Sequence, residues 1–370
     1  MTAILRGRDS ANRAMLRDHL DTTALWRSGW RRAGLVIGLL VYVVAPLLLS
    51  DFQLTVVDYA GIAAIGAIGL NVLTGYTGQI SLGHGFFLGG GAYTAAYVGG
   101  EMDLPLPLWL ATAALAGALV GAVIGPFALR LRGSYLAIIT LGLVFIGQHV
   151  FENWDSVTGG LNGLAVTAPV ELGPVDFAEL EVAGHSFTRN GGYFYVIWGM
   201  VAVVALLVKN LMRSRLGRAF QAVRDRDSAA AVMGVRLART KVMSFVVSSS
   251  LAAVAGALYG SYQRFVNPDE FGLFLSIRYV AMIVIGGVAT IYGPVLGALF
   301  ITAVPHVIDA WSDRIPGVAT QPGESGITVF ALNQALFGVL IVGFLLFEPR
   351  GLAAVWARVK TYFQAWPFSY

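Results

Sequence analysis

The sequence predicts an all-α polytopic membrane protein of about ten transmembrane helices, eight at the fewest, with both termini in the cytoplasm. Three observations carry this. Of 370 residues, 56% are hydrophobic and only 12% charged, and mean hydropathy is +0.70; a soluble domain carries about twice that charge. Uncharged runs long enough to cross a bilayer, about 20 residues each, recur along the whole length. Lys and Arg gather in alternate loops, as an orientation signal requires.

Residues 1–33 form a basic segment with seven arginines (Arg6, Arg8, Arg13, Arg17, Arg27, Arg31 and Arg32). It lacks the short n-region and early small-residue site of a cleaved leader, so it reads as the inner flank of a retained helix. Residues 13–30 carry a faint amphipathic pattern suited to a short surface helix. The uncharged runs follow at Ala33–Ser50, Tyr59–Gly100, Leu104–Leu129, Gly133–Phe151, Asn190–Val208, Val242–Gln263, Tyr279–Ile308 and Ser325–Phe347. The run from Tyr59 to Gly100 is too long for one crossing, and Gly75-Tyr76-Thr77-Gly78 supplies a break near its middle. Gly293-Pro294 divides the run from Tyr279 to Ile308. Eight runs, two of them divided, give ten spans.

The charge count tests this alternation. With the N-terminus inside, segments 1–33, 130–132, 209–241 and 349–370 are cytoplasmic, and they hold 21 of the 25 Lys and Arg. The outer loops hold Arg189, Arg264 and Arg314, and Arg278 sits at a span edge. The transmembrane bundle then covers 34–348, with a tail at 349–370. The two long loops are 152–192 outside, with Pro169, Pro174 and six acids suited to a small cap, and 209–241 inside, strongly basic.

Composition excludes several chemistries. There is no cysteine, hence no disulfide or thiolate site. Five scattered histidines lack a partner at i+3 or i+4, so no metal site is expected. The net charge of +4 comes from inner loops and does not indicate nucleic acid. The three lysines, Lys209, Lys241 and Lys360, never follow glycine, so the chain has no phosphate-cradling P-loop. The chain itself needs no cofactor, and any ATP that drives it binds another subunit.

The segment Asn71–Val98 is uncharged yet holds seven glycines between Gly75 and Gly91. Non-helical backbone survives at membrane depth where it is buried in protein or lines a wet cavity. Two readings follow. In one, Gly75, Tyr76, Thr77, Gly78, Gln79, Ser81, Gly83 and His84 line a translocation path, a helix restarting near Ser81 aims its N-terminus at a carboxylate, and the neutral groups suit a zwitterion that must not bind tightly. In the other, the glycines pack helices closely, with Gly85, Gly89, Ala92 and Ala96 as small residues four apart. Asp58 and Asp309 read as span-end acids. Thr158, Gly159, Gly160, Asn162 and Gly163 read as an external gate or receptor contact, or as a tight glycine turn. The inner loop carries one helix, over 219–234, ended by Gly234.

That loop helix resembles the coupling helix of an ABC importer permease. Its acidic-Ala-Ala-x-x-x-Gly pattern appears as Asp227, Ala229, Ala230 and Gly234, with Ser228 inserted after the acid; Arg218 and Asp225 flank it. The motifs "GLNVLTGYTGQISLGHGFFLGGGAYTAA", "LRLRGSYLAIITLGL", "TGGLNGL", "GRAFQAVRDRDSAAAVMGV", "KVMSFVVSSSLAAVAGALYG", "FVNPDEF", "VIGGVATIYGPVLGA" and "FEPRGL" run in order between residues 58 and 352. Together they resemble the LivM-type permease of branched-chain amino acid ABC transporters. The resemblance implies a multi-pass subunit of the bacterial inner membrane, without ATPase activity of its own. Its implied partners are a second, LivH-like permease, two cytoplasmic ATP-binding subunits and an extracytoplasmic solute-binding protein. Related permeases carry urea or short amides, which is the alternative solute class. A self-sufficient ion-coupled transporter would need ionisable residues at span centres, and Asp58, Asp309, His149 and His306 are the nearest candidates.

Overall fold

The computed structural model describes residues 29–129, 135–182, 185–311, 318–319, 327–348 and 350–365. The basic segment before residue 29, most of the surface helix expected at 13–30 and the two-arginine turn at 130–132 lie outside them. By contacts the chain divides into residues 1–50 and 51–370. In the first unit, α1 (Gly29–Leu48) is apolar and exposes Val36, Ile37, Leu39, Leu40 and Val41.

In the second unit, α2 (Asp51–Leu70) runs into a π-helical turn at Asn71–Tyr76, and α3 (His84–Thr94) into another at Ala95–Glu101. Then come α4 (Leu106–Leu129), α5 (Tyr135–Asn153) and the short α6 (Asp155–Thr158). The outer loop carries β1 (Leu164–Ala165) and the small hairpins β2/β3 (Glu171–Leu172, Val175–Asp176) and β4/β5 (Glu181–Val182, His185–Ser186), the compact cap its composition suggested. Beyond it lie α7 (Arg189–Arg213), the inner-loop helices α8 (Arg215–Asp225) and α9 (Asp227–Val232), and α10 (Leu237–Gln263). Strand β6 (Phe265–Val266) leads to α11 (Leu273–Gly286), α12 (Gly293–Trp311), the parallel pair β7/β8 (Val318–Ala319, Ile327–Thr328), α13 (Val329–Phe347) and α14 (Gly351–Ala365).

Each of the ten expected segments is helical. Among the described residues, five helical stretches are long and apolar enough to cross a membrane unaided: Asp51–Tyr76, Leu106–Pro126, Leu136–Asn153, Arg189–Arg213 and Leu237–Gln263. Four shorter apolar helices accompany them. The second divided run breaks at residues 287–292, just before Gly293, and its first half starts earlier than expected, at Leu273.

The packing is that of a protein in lipid. Helix α2 and the start of its π turn are buried on every side from Ala60 to Leu73, as a helix apolar all round must be. Leu115, Leu119, Val123, Ile138, Phe145, Ile146, Leu206 and Leu207 point outward from α4, α5 and α7. The buried faces instead carry small residues. Along α10, Ser248, Ser249, Ala252, Ala253, Ala255, Gly256 and Ala257 are all buried. A Cβ at Gly91 would run into the Ala253 carbonyl, one at Gly256 into the Leu88 carbonyl, and one at Gly117 into that of Ser249. Backbones in contact maximise dispersion where lipid gives no hydrophobic drive to helix pairing. For these glycines close packing is the role.

The fold also sorts the loops to two ends, as the alternation requires. Residues 77–79 meet 223–227 and Lys241, Asn71 bonds the 289–290 turn, and Gly287 abuts Ala353. At the other end Trp109 donates to the Pro169 carbonyl, β1 pairs with β6, and Arg189 donates to the carbonyls of Ser261 and Tyr262.

Candidate functional site

The break in the glycine-rich stretch is real and spans Thr77–Gly83. Gly78 adopts φ +73°, a conformation closed to most side chains, and lies against Arg224. Local hydrogen bonds then fix the turn. The Thr77 hydroxyl donates to the Val72 carbonyl, the Thr74 hydroxyl to that of Gln79, and the Gln79 amide to that of Leu73. The Gln79 side chain donates to Ser244 Oγ of α10 at 2.8 Å.

Asn71, at the π turn, ties this break to the second one. Its Nδ2 donates to the Thr290 carbonyl at 2.7 Å and its Oδ1 accepts from the Ala289 amide at 2.9 Å. Gly75 leaves room for that side chain, because a Cβ there would strike Asn71 Oδ1 and crowd the Ala289 amide. Asn71→Leu leaves both backbone groups without their partner, each at about 1–3 kcal/mol when buried. Thermal unfolding of the purified variant should therefore begin well below that of the parent.

Helix α3 starts at His84, not near Ser81, and the amides around its start have other partners. The Leu82 amide donates to Thr140 Oγ1, that of Gly83 to Ser81 Oγ, and that of Gly85 to Ser276 Oγ. The donors expected to face a solute carboxylate are thus engaged within the protein. His84 is buried, with Nε2 2.9 Å from the Gly66 carbonyl and its ring against Tyr279.

The inner loop holds two helices rather than the one expected over 219–234. Arg226 is extended (φ −160°, ψ 112°) and separates α8 from α9. The aspartates explain the division. Asp has poor helix propensity in an interior but is favoured in a first turn, where it meets the helix dipole. Asp227 opens α9 and pairs with Lys241 of α10. Ser214 caps α8 by accepting from the Gly217 amide, and Phe220 and Val223 anchor it inward. Arg218 donates back to the Arg213 carbonyl, and Asp225 closes α8. Gly234 takes φ +85° and ends the segment as expected. On α9, Ala230 is buried and Ala229 exposed; Val232 and Met233 beside it are 88% and 85% exposed. A cavity of about 270 Å³ lies where Thr77, Gly78 and Gln79 meet Arg224, Asp225, Asp227 and Lys241. The residues read as pathway and those read as coupling elements thus share one pocket.

A larger cavity, about 430 Å³, lies between α2, α3, α10, α11 and α12. Its wall includes Ile62, Ala63, Leu88, Leu275 and Met282, together with Tyr59, Tyr259, Tyr279, Thr302 and His306. Two charged residues line it, Glu270 and Arg278. Sequence reading missed both: it expected uncharged surroundings and left Arg278 as a span-edge residue. The one available signal was that Arg278 belongs to neither set of loops. Burial pushes the Glu270 carboxyl above its usual range, with the Tyr259 hydroxyl acting the other way. Asp58 also departs from expectation. Since α2 begins at Asp51, Asp58 lies two turns inside the helix and is fully buried, not at a span end. Asp309 lies in the last turn of α12.

The 158–163 turn is tied to the segment that leads into Glu270. The buried Thr158 donates its hydroxyl to the Phe151 carbonyl, and Gly159, Gly160 and Asn162 continue into a short 3₁₀ turn. Gly163 lies against Val266 and Phe265, and the β1–β6 ladder joins this turn to the strand before Glu270. Phe271, next along, packs on Phe151 and Tyr93.

Comparison with known proteins agrees with this architecture. The family model described as branched-chain amino acid transport system / permease component matches residues 53–346. The chain is 29% identical over 331 residues to the high-affinity branched-chain amino acid transport system permease protein LivM of Escherichia coli K12, covering 86% of this chain and 74% of that protein. It is 28% identical over 251 residues to LivH of the same strain, covering 64% of this chain and 79% of LivH. To the autoinducer 2 import system permease protein LsrC of Enterobacter sp. strain 638 it is 31% identical over 234 residues, covering 58% and 61%. No solved structure matches.

Proposed function

Because the chain belongs to the branched-chain amino acid transport system / permease component family, and to its LivM type, we propose that it imports branched-chain amino acids as one permease of an ATP-driven complex. A LivH-like second permease, two ATP-binding subunits and a solute-binding protein complete the assembly in the bacterial inner membrane. One observation supports this reading most: the break at Thr77–Gly83 rests on the inner-loop helices. Closure of the ATPases pushes on α8 and α9. The pocket formed by Thr77, Gly78, Gln79, Arg224, Asp227 and Lys241 passes that push to the junction of α2 and α3. Alternating access follows as the bundle opens toward the loaded binding protein and hydrolysis resets it. The residues Gly75, Tyr76, Gly78, Gln79, Ser81, Gly83 and His84 form the inner, moving end of the path; Thr158, Gly159, Gly160, Asn162 and Gly163 brace its outer end.

The complex reconstituted in vesicles should accumulate leucine only with ATP, the ATPases and the binding protein all present. Accumulation by this chain alone, driven by an ion gradient, would show a secondary transporter instead. Urea uptake in place of leucine would move the assignment to the amide-carrying branch.

A further inference from the structure

We propose that the 430 Å³ cavity is a solute chamber within this single chain, built for a small zwitterion with an aliphatic side chain. Glu270 takes the ammonium, Arg278 the carboxylate, and Ile62, Leu88, Leu275 and Met282 the side chain. The inference rests on the import reading above and adds to it the place and chemistry of recognition.

The size is that of a small-molecule site, largely apolar with a few polar groups. The charges are what set it apart. Among the described residues neither Glu270 nor Arg278 makes an ion pair, although both line one cavity. Glu270 Oε2 and Arg278 Nε are buried without a hydrogen-bond partner. A fold that needed these charges only for stability would close them on each other, since unpaired buried charges are costly. A ligand carrying both signs satisfies both at once and leaves the loaded chamber neutral overall. A neutral amide offers neither charge.

Both groups are held in place from outside the cavity. The Arg278 guanidinium sits over the Phe337 ring, 5.5 Å from its centre. Glu270 lies on the short 3₁₀ helix Pro268–Phe271, capped by Asn267, whose Oδ1 accepts from the Asp269 amide at 3.1 Å. The β1–β6 ladder fixes the strand that leads into it.

The test uses the assembled transporter in vesicles with ATP and leucine as probe. Glu270→Gln and Arg278→Gln should each raise the KM for leucine at least tenfold. Both variants should stay folded, because glutamine at 270 keeps an acceptor for the Tyr259 hydroxyl and, among the described residues, no ion pair is lost at either position. Competition by leucine analogues separates the two ends. Relative to leucine, 4-methylpentanoate, which lacks the ammonium, should compete better in the Glu270 variant. The amine 3-methylbutylamine, which lacks the carboxylate, should compete better in the Arg278 variant. As a variant that keeps both charges, Leu275→Trp fills the cavity and should abolish uptake while ATP hydrolysis continues. A parental leucine KM in both charge variants, or normal uptake with Leu275→Trp, would overturn the chamber while leaving the import reading intact. Failure of the parent to take up leucine while it hydrolyses ATP would overturn both.

Discussion

Gly256→Val should leave little folded protein to extract from the membrane. The Cβ added there would meet the backbone carbonyl of Leu88, not the tip of a side chain. A side chain can rotate away; a carbonyl inside a helix can retreat only if its helix moves. Helix α3 cannot move freely, because Gly91 is seated against the Ala253 carbonyl three residues earlier on α10. The two glycines interlock the same pair of helices from both sides. Overpacking of a well-packed core costs about 1–3 kcal/mol, and a valine here, rigid at χ1, should lie at the upper end of that range or above. Small-residue contact is also what holds these helices together in lipid, so no hydrophobic gain offsets the loss. Size-exclusion profiles of detergent-extracted protein should show aggregate in place of a single peak. Gly90→Ala is the control. No atom outside its own helix lies within 4 Å of a Cβ there, and alanine favours a helix over glycine by roughly 0.5–1 kcal/mol, so that variant should melt no lower than the parent. A well-behaved Gly256→Val would mean that α3 and α10 do not meet backbone to backbone.

The second large effect should come from Val232→Glu combined with Met233→Glu. These are the most exposed large apolar residues of the inner loop, at 88% and 85%, directly beside the basic surface that the coupling reading assigns to the ATPases. Their exposure means that the folded chain alone should tolerate both changes. Docking against a partner would bury them, and a buried carboxylate without a counter-charge is strongly disfavoured. Co-purification of the ATP-binding subunits should therefore be lost. Uptake should fall at least tenfold, which corresponds to about 1.4 kcal/mol of docking free energy, while the melting temperature of the isolated chain stays unchanged. Normal assembly with both substitutions would place the ATPase contact elsewhere on the inner face.

Much of the fold was legible because lipid simplifies the code. Uncharged runs gave the helices, and charge alternation gave the two ends that the contacts later brought together. The break around Gly75–Gly78 was legible because glycines and polar residues interrupt an otherwise apolar run. Less visible was anything set by contact between distant segments. The amides of Leu82 and Gly85, on either side of His84, are occupied by Thr140 and Ser276, which lie far along the chain, so the start of α3 shifted from its expected place. The division of the inner-loop helix at Arg226 depends on the pairing of Asp227 with Lys241, 14 residues later. Asp58 was misplaced because α2 begins earlier than the uncharged run: a helix tolerates Asp51, Gln53 and Thr55 at its outer end, whereas a charge-based boundary does not. Glu270 and Arg278 escaped notice because one lies in a loop and the other in a helix, and only the turn between β6 and α11 makes them line the same cavity.

Asn71 has a mechanical consequence. One side chain grips both interruptions in the polypeptide, which are separated by 219 positions along the chain. Displacement of either turn therefore drags the other, and the half-length helices α11 and α12 are geared to α2 without any intermediary. A displacement at one of these turns is therefore shared with the other through the two Asn71 hydrogen bonds.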